Sequence, residues 1–152
     1  MYNKIGDNMK VAIASDHRGY ELKKYIISKM KDVDFVDLGA DSSKSSDYPI
    51  YAFKLGEYVT NNNCFGVAIC GSGIGISIAC NKVKGIRCAR VSSIKDAKVT
   101  RDDNDSNIVA FSSAISKRKA IKIIRTFINE EFKKAPRHIK RIEQINEYER
   151  SN

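Results

Sequence analysis

The chain has 152 residues, of which 42% are hydrophobic and 30% charged, and its formal net charge is +9 at pH 7. This length predicts one domain, and the hydrophobic fraction is high enough for a packed core, which argues against a disordered chain. No apolar run approaches the roughly 20 residues of a membrane helix, and the opening residues lack the apolar segment of a signal peptide. We therefore expect a cytoplasmic protein with no membrane partner, in which residues 1–8 are a flexible extension and residues 9–152 form the domain.

Short runs rich in Val, Ile and Ala alternate with longer segments of helical period along the chain. Five such runs predict β-strands at residues 10–14, 34–38, 65–69, 85–89 and 107–111. Six segments predict helices at about 20–31, 50–61, 74–82, 93–101, 117–133 and 138–150. The strand runs are continuously apolar rather than alternating, which is typical of strands buried on both faces of a parallel sheet. The sequence therefore predicts a doubly wound α/β fold, a Rossmann-like three-layer αβα sandwich with five mainly parallel strands.

The excess positive charge is concentrated in the last quarter of the chain. From Lys117 onward there are 11 Lys and Arg against 5 Asp and Glu, which is a net +6 of the total +9. A basic surface is typical of nucleic-acid binders, but no nucleic-acid motif is present and aromatic residues are not interleaved with the basic ones. The basic residues of 117–127 alternate with apolar positions in a helical rhythm, as on a solvated helix face. We therefore expect no nucleic-acid partner.

Four cysteines, at positions 64, 70, 80 and 88, are the candidates for metal binding or disulfide formation. Their spacing matches neither paired zinc ligands nor a small secreted disulfide scaffold, so we expect free thiols and no metal. Cys64, Cys80 and Cys88 are most simply small apolar residues of the core, as free cysteines commonly are. Cys70 differs because of the loop that comes after it.

A glycine loop, Gly-Ser-Gly-Ile-Gly at residues 71–75, comes directly after Cys70. It matches neither the dinucleotide-binding motif nor the P-loop, and Ile76 stands where a phosphatase loop would need arginine. A strand that leads through such a loop into a helix directs backbone N–H groups at one point, where they stabilise an anion. They would also favour the thiolate of Cys70, which could then act as a base. The alternative is that Cys70 only fills space at the end of a strand.

In a doubly wound sheet, ligands bind at the carboxyl ends of the strands. Asp16 and His17 follow the first predicted strand, and Cys70 follows the third. The polar segment 100–107, TRDDNDSN, leads into the last strand, and we interpret it as part of the same site. The polar loop at residues 40–49 is long enough to reach over it.

Five segments carry a family resemblance: SDHRGYELKK, DYP, ICGSGIGISIACNKVKGIRCA, NDSNIVAF and RHIKRIEQI. They resemble the ribose-5-phosphate isomerase B family, which includes galactose-6-phosphate relatives, over nearly the whole chain from Met9. The resemblance implies interconversion of ribose 5-phosphate and ribulose 5-phosphate through a cis-enediolate in the pentose phosphate pathway, without metal or redox cofactor. It also implies a homodimer or a tetramer with shared active sites, in which the C-terminal helix of one subunit packs on its partner.

The same resemblance assigns roles to individual residues. Cys70 is implied to be the base, while the N–H groups of the glycine loop and the Ser72 hydroxyl hold the enediolate oxygens. The substrate contacts that it implies are Asp16, His17, Tyr48, Gly71, Ser72, Gly73, Ile74, Gly75, Asn104, Arg137 and Arg141. Arg137 and Arg141 are four residues apart, so they share one helical face, and their planar guanidinium groups suit a phosphate. The alternative for this pair is a solvated helix surface.

The chain departs from the family pattern at two positions. Where the family commonly has a ring-opening histidine, this chain has Asp103, and where it commonly has a phosphate-binding arginine, this chain has Ala114. An ionised carboxylate is a poor acid at neutral pH, whereas the imidazole of His138 can give and take a proton there. We therefore expect His138, with Asp103 beside it as the competing candidate, to open the furanose ring. Lys117 and Arg118 are candidates to replace the missing arginine.

Two other functions stay open at this point. One is isomerisation of a six-carbon sugar phosphate, such as allose 6-phosphate or galactose 6-phosphate. The other is a catalytically weakened protein that binds a sugar phosphate or associates with nucleic acid, for which Asp103, Ala114 and the basic C-terminal region provide some support.

Overall fold

The computed structural model describes residues 9–152, so the extension expected at residues 1–8 lies outside the described residues. Five strands form one sheet: β1 (Met9–Ser15), β2 (Val33–Asp37), β3 (Phe65–Cys70), β4 (Cys88–Arg90) and β5 (Ile108–Ser112). Their order in the sheet is β2-β1-β3-β5-β4, and all four pairings are parallel. The predicted parallel five-stranded sheet is confirmed.

Six α-helices alternate with these strands or follow them. They are α1 (Tyr20–Lys29), α2 (Tyr48–Asn62), α3 (Ile74–Cys80), α4 (Ile94–Asn104), α5 (Lys117–Asn129) and α6 (Pro136–Ser151). A 3-10 turn at His17–Gly19 connects β1 to α1. None of the helices within residues 9–152 is long and apolar enough to cross a membrane.

The sheet has a hydrophobic core on each face, and successive residues of one strand contribute to opposite cores. Val11 and Ile13 of β1 pack in the first core with α1, α4 and α5. Ala12 and Ala14 of the same strand pack in the second core with α2 and α3. The predicted three-layer αβα sandwich is therefore confirmed.

Two details of the sequence-based prediction were wrong. The fourth strand is β4 at Cys88–Arg90 rather than residues 85–89, and the two edge strands β2 and β4 are not buried on both faces. An edge strand has a neighbour on one side only, so the apolar run in its sequence overstates its burial.

The fifth helix also ends earlier than predicted, at Asn129 rather than residue 133, because Glu130 adopts an extended backbone. The Arg101 Nε donates to the Glu130 carbonyl at 3.2 Å, which draws the chain toward α4 instead of into a further helical turn.

Helix α6 lies along the amino edge of the sheet, where the strands begin. Near its start, His138 Nε2 is 3.4 Å from Asp103 Oδ1, and Asp103 belongs to the last turn of α4, just before β5. Near its end, Glu149 Oε2 accepts a hydrogen bond from the Gly85 N–H at 2.8 Å, and Gly85 precedes β4. Both ends of α6 are therefore attached to the edge opposite Cys70.

A carboxylate on α4 connects this helix to the segment that leads into α6. Asp102 Oδ2 lies 2.8 Å from Lys98 Nζ and 2.9 Å from Lys133 Nζ. Burial by itself would raise the pKa of Asp102, but the hydrogen bonds from these lysines outweigh it and lower the pKa to about 2. The ionised form is thus favoured in the folded protein.

We expect this ion cluster to make the free energy of unfolding depend on pH in the acidic range. An unfolded aspartate has a pKa of about 3.9, so the contribution of Asp102 is complete above about pH 4 and is lost as the pH falls through about 2. Asp102→Asn should lower the free energy of unfolding at pH 7 by about 1–2 kcal/mol, a value discounted because both lysines are partly solvated. Urea unfolding at pH 7, 4 and 2 measures this, and the variant should lose less stability than the wild type between pH 4 and pH 2. Equal losses would contradict the assignment.

Candidate active site

The carboxyl ends of β1, β3 and β5 meet at one edge of the sheet, and each end brings a polar side chain. Asp16 follows β1, Cys70 ends β3 and Ser112 ends β5. Cys70 and Ser112 are register partners, and the Ser112 hydroxyl donates to the Gly71 carbonyl at 2.7 Å. The glycine loop is therefore attached to both central strands.

Cys70 is buried, with 4% of its surface exposed, and its sulfur faces the backbone of the glycine loop. The Gly73 N–H donates to Cys70 Sγ at 3.2 Å. Gly73 has a φ of +75°, and a Cβ atom at this position would lie 2.6 Å from the Phe111 carbonyl carbon. Only glycine can hold this turn without displacing β5, so its N–H can be directed at the sulfur. A hydrogen bond of this kind stabilises a thiolate.

The loop also uses some of its own donors, which the sequence did not predict. The Ile74 N–H donates to Ser72 Oγ at 3.1 Å, and the Gly73 N–H is directed at Cys70. A bound oxyanion would therefore compete with Cys70 Sγ and Ser72 Oγ for these two N–H donors. The Ser72 hydroxyl still has its own proton to donate to a ligand. One loop N–H, that of Gly73, is thus directed at the sulfur, while that of Ile74 is satisfied within the loop.

Two larger side chains pack against glycines of the loop. The Tyr48 ring lies on Gly75, where an added Cβ would be 2.6 Å from the ring atom Cζ. Arg18 lies on Gly71, where an added Cβ would be 3.0 Å from both Cδ and Nε of the arginine. Tyr48 is the first residue of α2, so it approaches the loop from a helix rather than from the polar loop that precedes it. These glycines let an aromatic ring and a guanidinium approach the loop backbone.

The residues after β1 have defined partners. Asp16 is buried, and its Oδ1 accepts hydrogen bonds from the N–H groups of Arg18 at 2.9 Å and Gly19 at 3.1 Å. His17 Nδ1 lies 3.2 Å from both the backbone nitrogen and the carbonyl oxygen of Ser46. Whichever tautomer is present, the backbone of Ser46 occupies Nδ1, and Nε2 has no partner among residues 9–152. Nε2 is therefore available to a ligand. Because Ser46 belongs to the polar loop 40–49, its contact with His17 also holds this loop near the site, as predicted.

The remaining candidate residues form a second set at the amino edge of the sheet. This set comprises Asp103, Asn104, Arg137, His138 and Arg141. The prediction that segment 100–107 shares the carboxyl edge with Cys70 was wrong, because the segment precedes β5 instead of following it. The four-residue rise along β5 from Ile108 to Ser112 alone separates the edges by about 13 Å. One chain therefore does not bring the two sets together.

Arg137 and Arg141 are both exposed, and neither guanidinium contacts a carboxylate among residues 9–152. His138, between them in sequence, is buried against Asp103. Residues four apart share one side of a helix, so Arg137 and Arg141 lie on one face of α6, whereas His138, next to Arg137 in sequence, lies on the face that contacts α4. A solvated pair of arginines that have no protein counter-ion is available to a phosphate.

Ala114 is exposed in the turn after β5, and two cations lie near this turn. Arg18 and Lys117 line a cleft of about 480 Å³ together with Ser113. Lys117 Nζ is 4.6 Å from the centre of the Tyr25 ring, so this lysine already has a cation–π partner. Arg18 lies closer to the glycine loop, and its guanidinium contacts no carboxylate among the described residues. The sequence analysis did not identify Arg18 as a candidate, although it directly follows His17.

A second overlooked residue is Arg90, the last residue of β4. Its Nε and Nη2 both donate to the Ser72 carbonyl oxygen at 3.1 Å. The two residues are 18 positions apart, and no motif or spacing in the sequence indicates that they meet.

The other thiols differ from Cys70 in their surroundings. All four cysteines are free. Burial raises the pKa of Cys64, and the neighbouring Cys80 thiol together with burial raises the pKa of Cys88. These two side chains therefore remain protonated at neutral pH, as expected for structural cysteines.

A model of the protein family described as Ribose/Galactose Isomerase matches residues 11–145. The chain belongs to this family. Its glycine loop, the residues after β1 and most of α6 all lie within the matched range.

Members of this isomerase family with solved structures share the fold closely. Ribose-5-phosphate isomerase B of Clostridium thermocellum is 39% identical, with a TM-score of 0.89 over 94% of this chain and 99% of that one. The Mycoplasma genitalium enzyme, solved with bound ribulose 5-phosphate, is 38% identical, with a TM-score of 0.88 over 94% and 97% of the two chains. Ribose-5-phosphate isomerase B of Escherichia coli is 36% identical over 90% of this chain and 93% of its own length.

Proposed function

We propose that this protein interconverts ribose 5-phosphate and ribulose 5-phosphate, with Cys70 as the base. The observation that carries the proposal is the Cys70 sulfur at the carboxyl edge, which accepts a hydrogen bond from the Gly73 N–H. The family relatives, one of which binds ribulose 5-phosphate, support this choice of sugar. The cytoplasmic location expected from the sequence stays a prediction.

The chemistry requires one base and one oxyanion site. The Cys70 thiolate takes the proton from C2 of the open-chain aldose, and the electron pair of that bond moves toward C1, so that the C1 carbonyl oxygen becomes the oxyanion of a cis-enediolate. The proton of the O2 hydroxyl then passes to the O1 oxyanion, and the Cys70 thiol delivers its proton to C1, which yields the ketose and regenerates the thiolate. The Ser72 hydroxyl and the loop N–H groups stabilise the oxyanion in this scheme.

We further propose that the working site is formed by two copies of the chain. Cys70 and His17 lie at one edge of the sheet, and Arg137 and Arg141 lie at the other, so a second copy must supply the arginines. Exposed apolar side chains next to the glycine loop, Ile74 and Ile78 of α3, support burial of this region by a partner. The exposed Ile145 and Tyr148 on α6 provide a second such surface. A homodimer is the smallest assembly that completes the site.

In this dimer the phosphate binds between two sources of positive charge. Arg137 and Arg141 come from α6 of one subunit, and Arg18 and the Nε2 of His17 come from the other. Arg18 takes the place of the missing arginine at position 114, because its side chain already lies on Gly71 at the site.

We expect Cys70→Ala to abolish nearly all turnover, by about three orders of magnitude or more, because the variant has no other group at the position of the base. The fold and the affinity for ribulose 5-phosphate should be retained, which circular dichroism and calorimetric titration measure. Turnover is assayed on ribose 5-phosphate, allose 6-phosphate and galactose 6-phosphate. A variant with wild-type kcat would show that the base lies elsewhere, and wild-type protein with higher kcat/KM on a six-carbon substrate would contradict the proposed sugar.

We expect subunits with complementary defects to restore each other. Cys70→Ala and the double variant Arg137→Ala/Arg141→Ala should each have little activity at low substrate concentration. After equal mixing, unfolding and refolding, about a quarter of wild-type kcat/KM should return, because half of the dimers are mixed and each has one intact site. A mixture of Cys70→Ala with Ser72→Ala, which lie on the same edge, is the matched control and should stay inactive. Absence of recovery in the first mixture would contradict the shared site.

For ring opening we expect His138→Asn to slow turnover of the cyclic substrate more than Asp103→Asn does, and Asp103→His to be tolerated. The imidazole moves the proton in this scheme, while Asp103, 3.4 Å away, orients it. Each variant is assayed for conversion of ribose 5-phosphate and for exchange of the C1 proton of ribulose 5-phosphate with D2O, because this exchange passes through the enediolate without ring opening or closure. A His138 variant that is equally impaired in both reactions, or unimpaired on ribose 5-phosphate, would contradict this role.

A further inference from the structure

Arg90 is attached to the catalytic loop by an unusual contact. Two donors of its guanidinium, Nε and Nη2, chelate a single acceptor, the Ser72 carbonyl oxygen, at 3.1 Å each. Arg90 is the last residue of the short edge strand β4, and its side chain is exposed apart from this contact. No carboxylate among residues 9–152 neutralises it.

The Ser72 carbonyl belongs to the same peptide group as the Gly73 N–H. That N–H donates to Cys70 Sγ at 3.2 Å. A positive charge on the carbonyl side therefore polarises the peptide, which makes its N–H a stronger donor toward the sulfur. Hydrogen bonds that are linked through one polarisable group strengthen each other in this way.

We propose that Arg90 is a positioning residue for the isomerase reaction, which holds the Ser72–Gly73 peptide so that its N–H stabilises the Cys70 thiolate. Arginine suits this role better than lysine, because it is always charged and its fork can chelate one oxygen in a fixed orientation. The inference rests on the proposed function in one respect only, which is that the reactive form of Cys70 is the thiolate.

The turn geometry supports the same role. Gly73 has a left-handed backbone, and an added Cβ would lie 2.6 Å from the Phe111 carbonyl carbon, so the turn packs closely on β5. Arg90 holds the carbonyl side of the Ser72–Gly73 peptide group, at the Ser72 oxygen. Asp16, His17, Arg18 and Tyr48 are further charged or titratable groups at this edge, and among the described residues none of these four donates a hydrogen bond to the Ser72 carbonyl.

Thiolate reactivity can be tested without turnover. Cys70 is alkylated with iodoacetamide across pH 6–10 in the full-length protein, and mass spectrometry follows the modification of Cys70 separately from that of Cys64, Cys80 and Cys88. In Arg90→Gln, which retains an amide donor but no charge, the alkylation rate at pH 7 should fall about three- to tenfold. The limiting rate at high pH should not change, so the midpoint of the profile moves upward.

Turnover gives a second readout. Arg90→Gln should lower kcat on ribose 5-phosphate by a similar factor and leave KM unchanged, because Arg90 is assigned no contact with the phosphate. Arg90→Lys, which restores a charge, should recover part of the alkylation rate at pH 7. Arg125→Gln is the matched control, because it removes a guanidinium that binds Asp32 on a distant surface, and its alkylation profile should equal that of the wild type.

An unchanged midpoint of alkylation in Arg90→Gln would overturn the inference, whatever the lysine variant does. A lower limiting rate at high pH together with an unchanged midpoint would assign Arg90 a purely structural role, which also overturns it. If Cys70→Ala retained turnover, the assignment of Cys70 as the base would fail, but the alkylation profile would still decide whether Arg90 stabilises the Cys70 thiolate.

Discussion

The parallel register between β3 and β5 determines where the candidate base and its glycine loop are located. It sets Cys70 opposite Ser112 at the carboxyl edge and Gly66 opposite Ile108 at the amino edge. Because of this pairing, the Cys70 carbonyl accepts the Ser113 N–H at 2.9 Å, and the Ser112 hydroxyl holds the start of the glycine loop. The loop that surrounds the sulfur is therefore built on β5 as much as on β3. A slip of one residue would turn the Cys70 side chain to the opposite face of the sheet.

The same register explains why the second set of polar residues lies far from the thiol. Asp103 and Asn104 end α4, and α4 must return to the amino edge before β5 can run parallel to β3. Helix α6 is then attached to this edge through His138 and Glu149. In a parallel sheet, the residues before each strand and the residues after it thus lie at opposite edges. Association of two copies is the simplest way to unite the two sets.

Electrostatics at the two edges are arranged by different means. At the carboxyl edge, the Ser72–Gly73 peptide group lies between the Arg90 guanidinium and the Cys70 sulfur. In our proposal the arginine stabilises the thiolate through this peptide, without direct contact between the two side chains. At the amino edge, Asp102 binds Lys98 and Lys133 directly, which fixes the segment that leads into α6. Within residues 9–152, Arg137 and Arg141 remain without a protein counter-ion next to this neutralised cluster. The positive charge that composition showed in the C-terminal region is thus partly paired and partly free for a phosphate.

The sequence by itself determined the order and type of the elements, the parallel sheet and the family, and it made Cys70 the candidate base, because these depend on local signals. Apolar runs predict strands, helical periods predict helices, and a thiol before a glycine loop is recognisable as a motif. The tertiary structure alone decided that residues 100–107 lie opposite Cys70, that α5 ends at Asn129, and that Arg90 contacts Ser72. Each of these depends on which strands become neighbours and on which side chain reaches a carbonyl many residues away. Such long-range contacts leave no periodicity in the chain, so only the folded sheet reveals them.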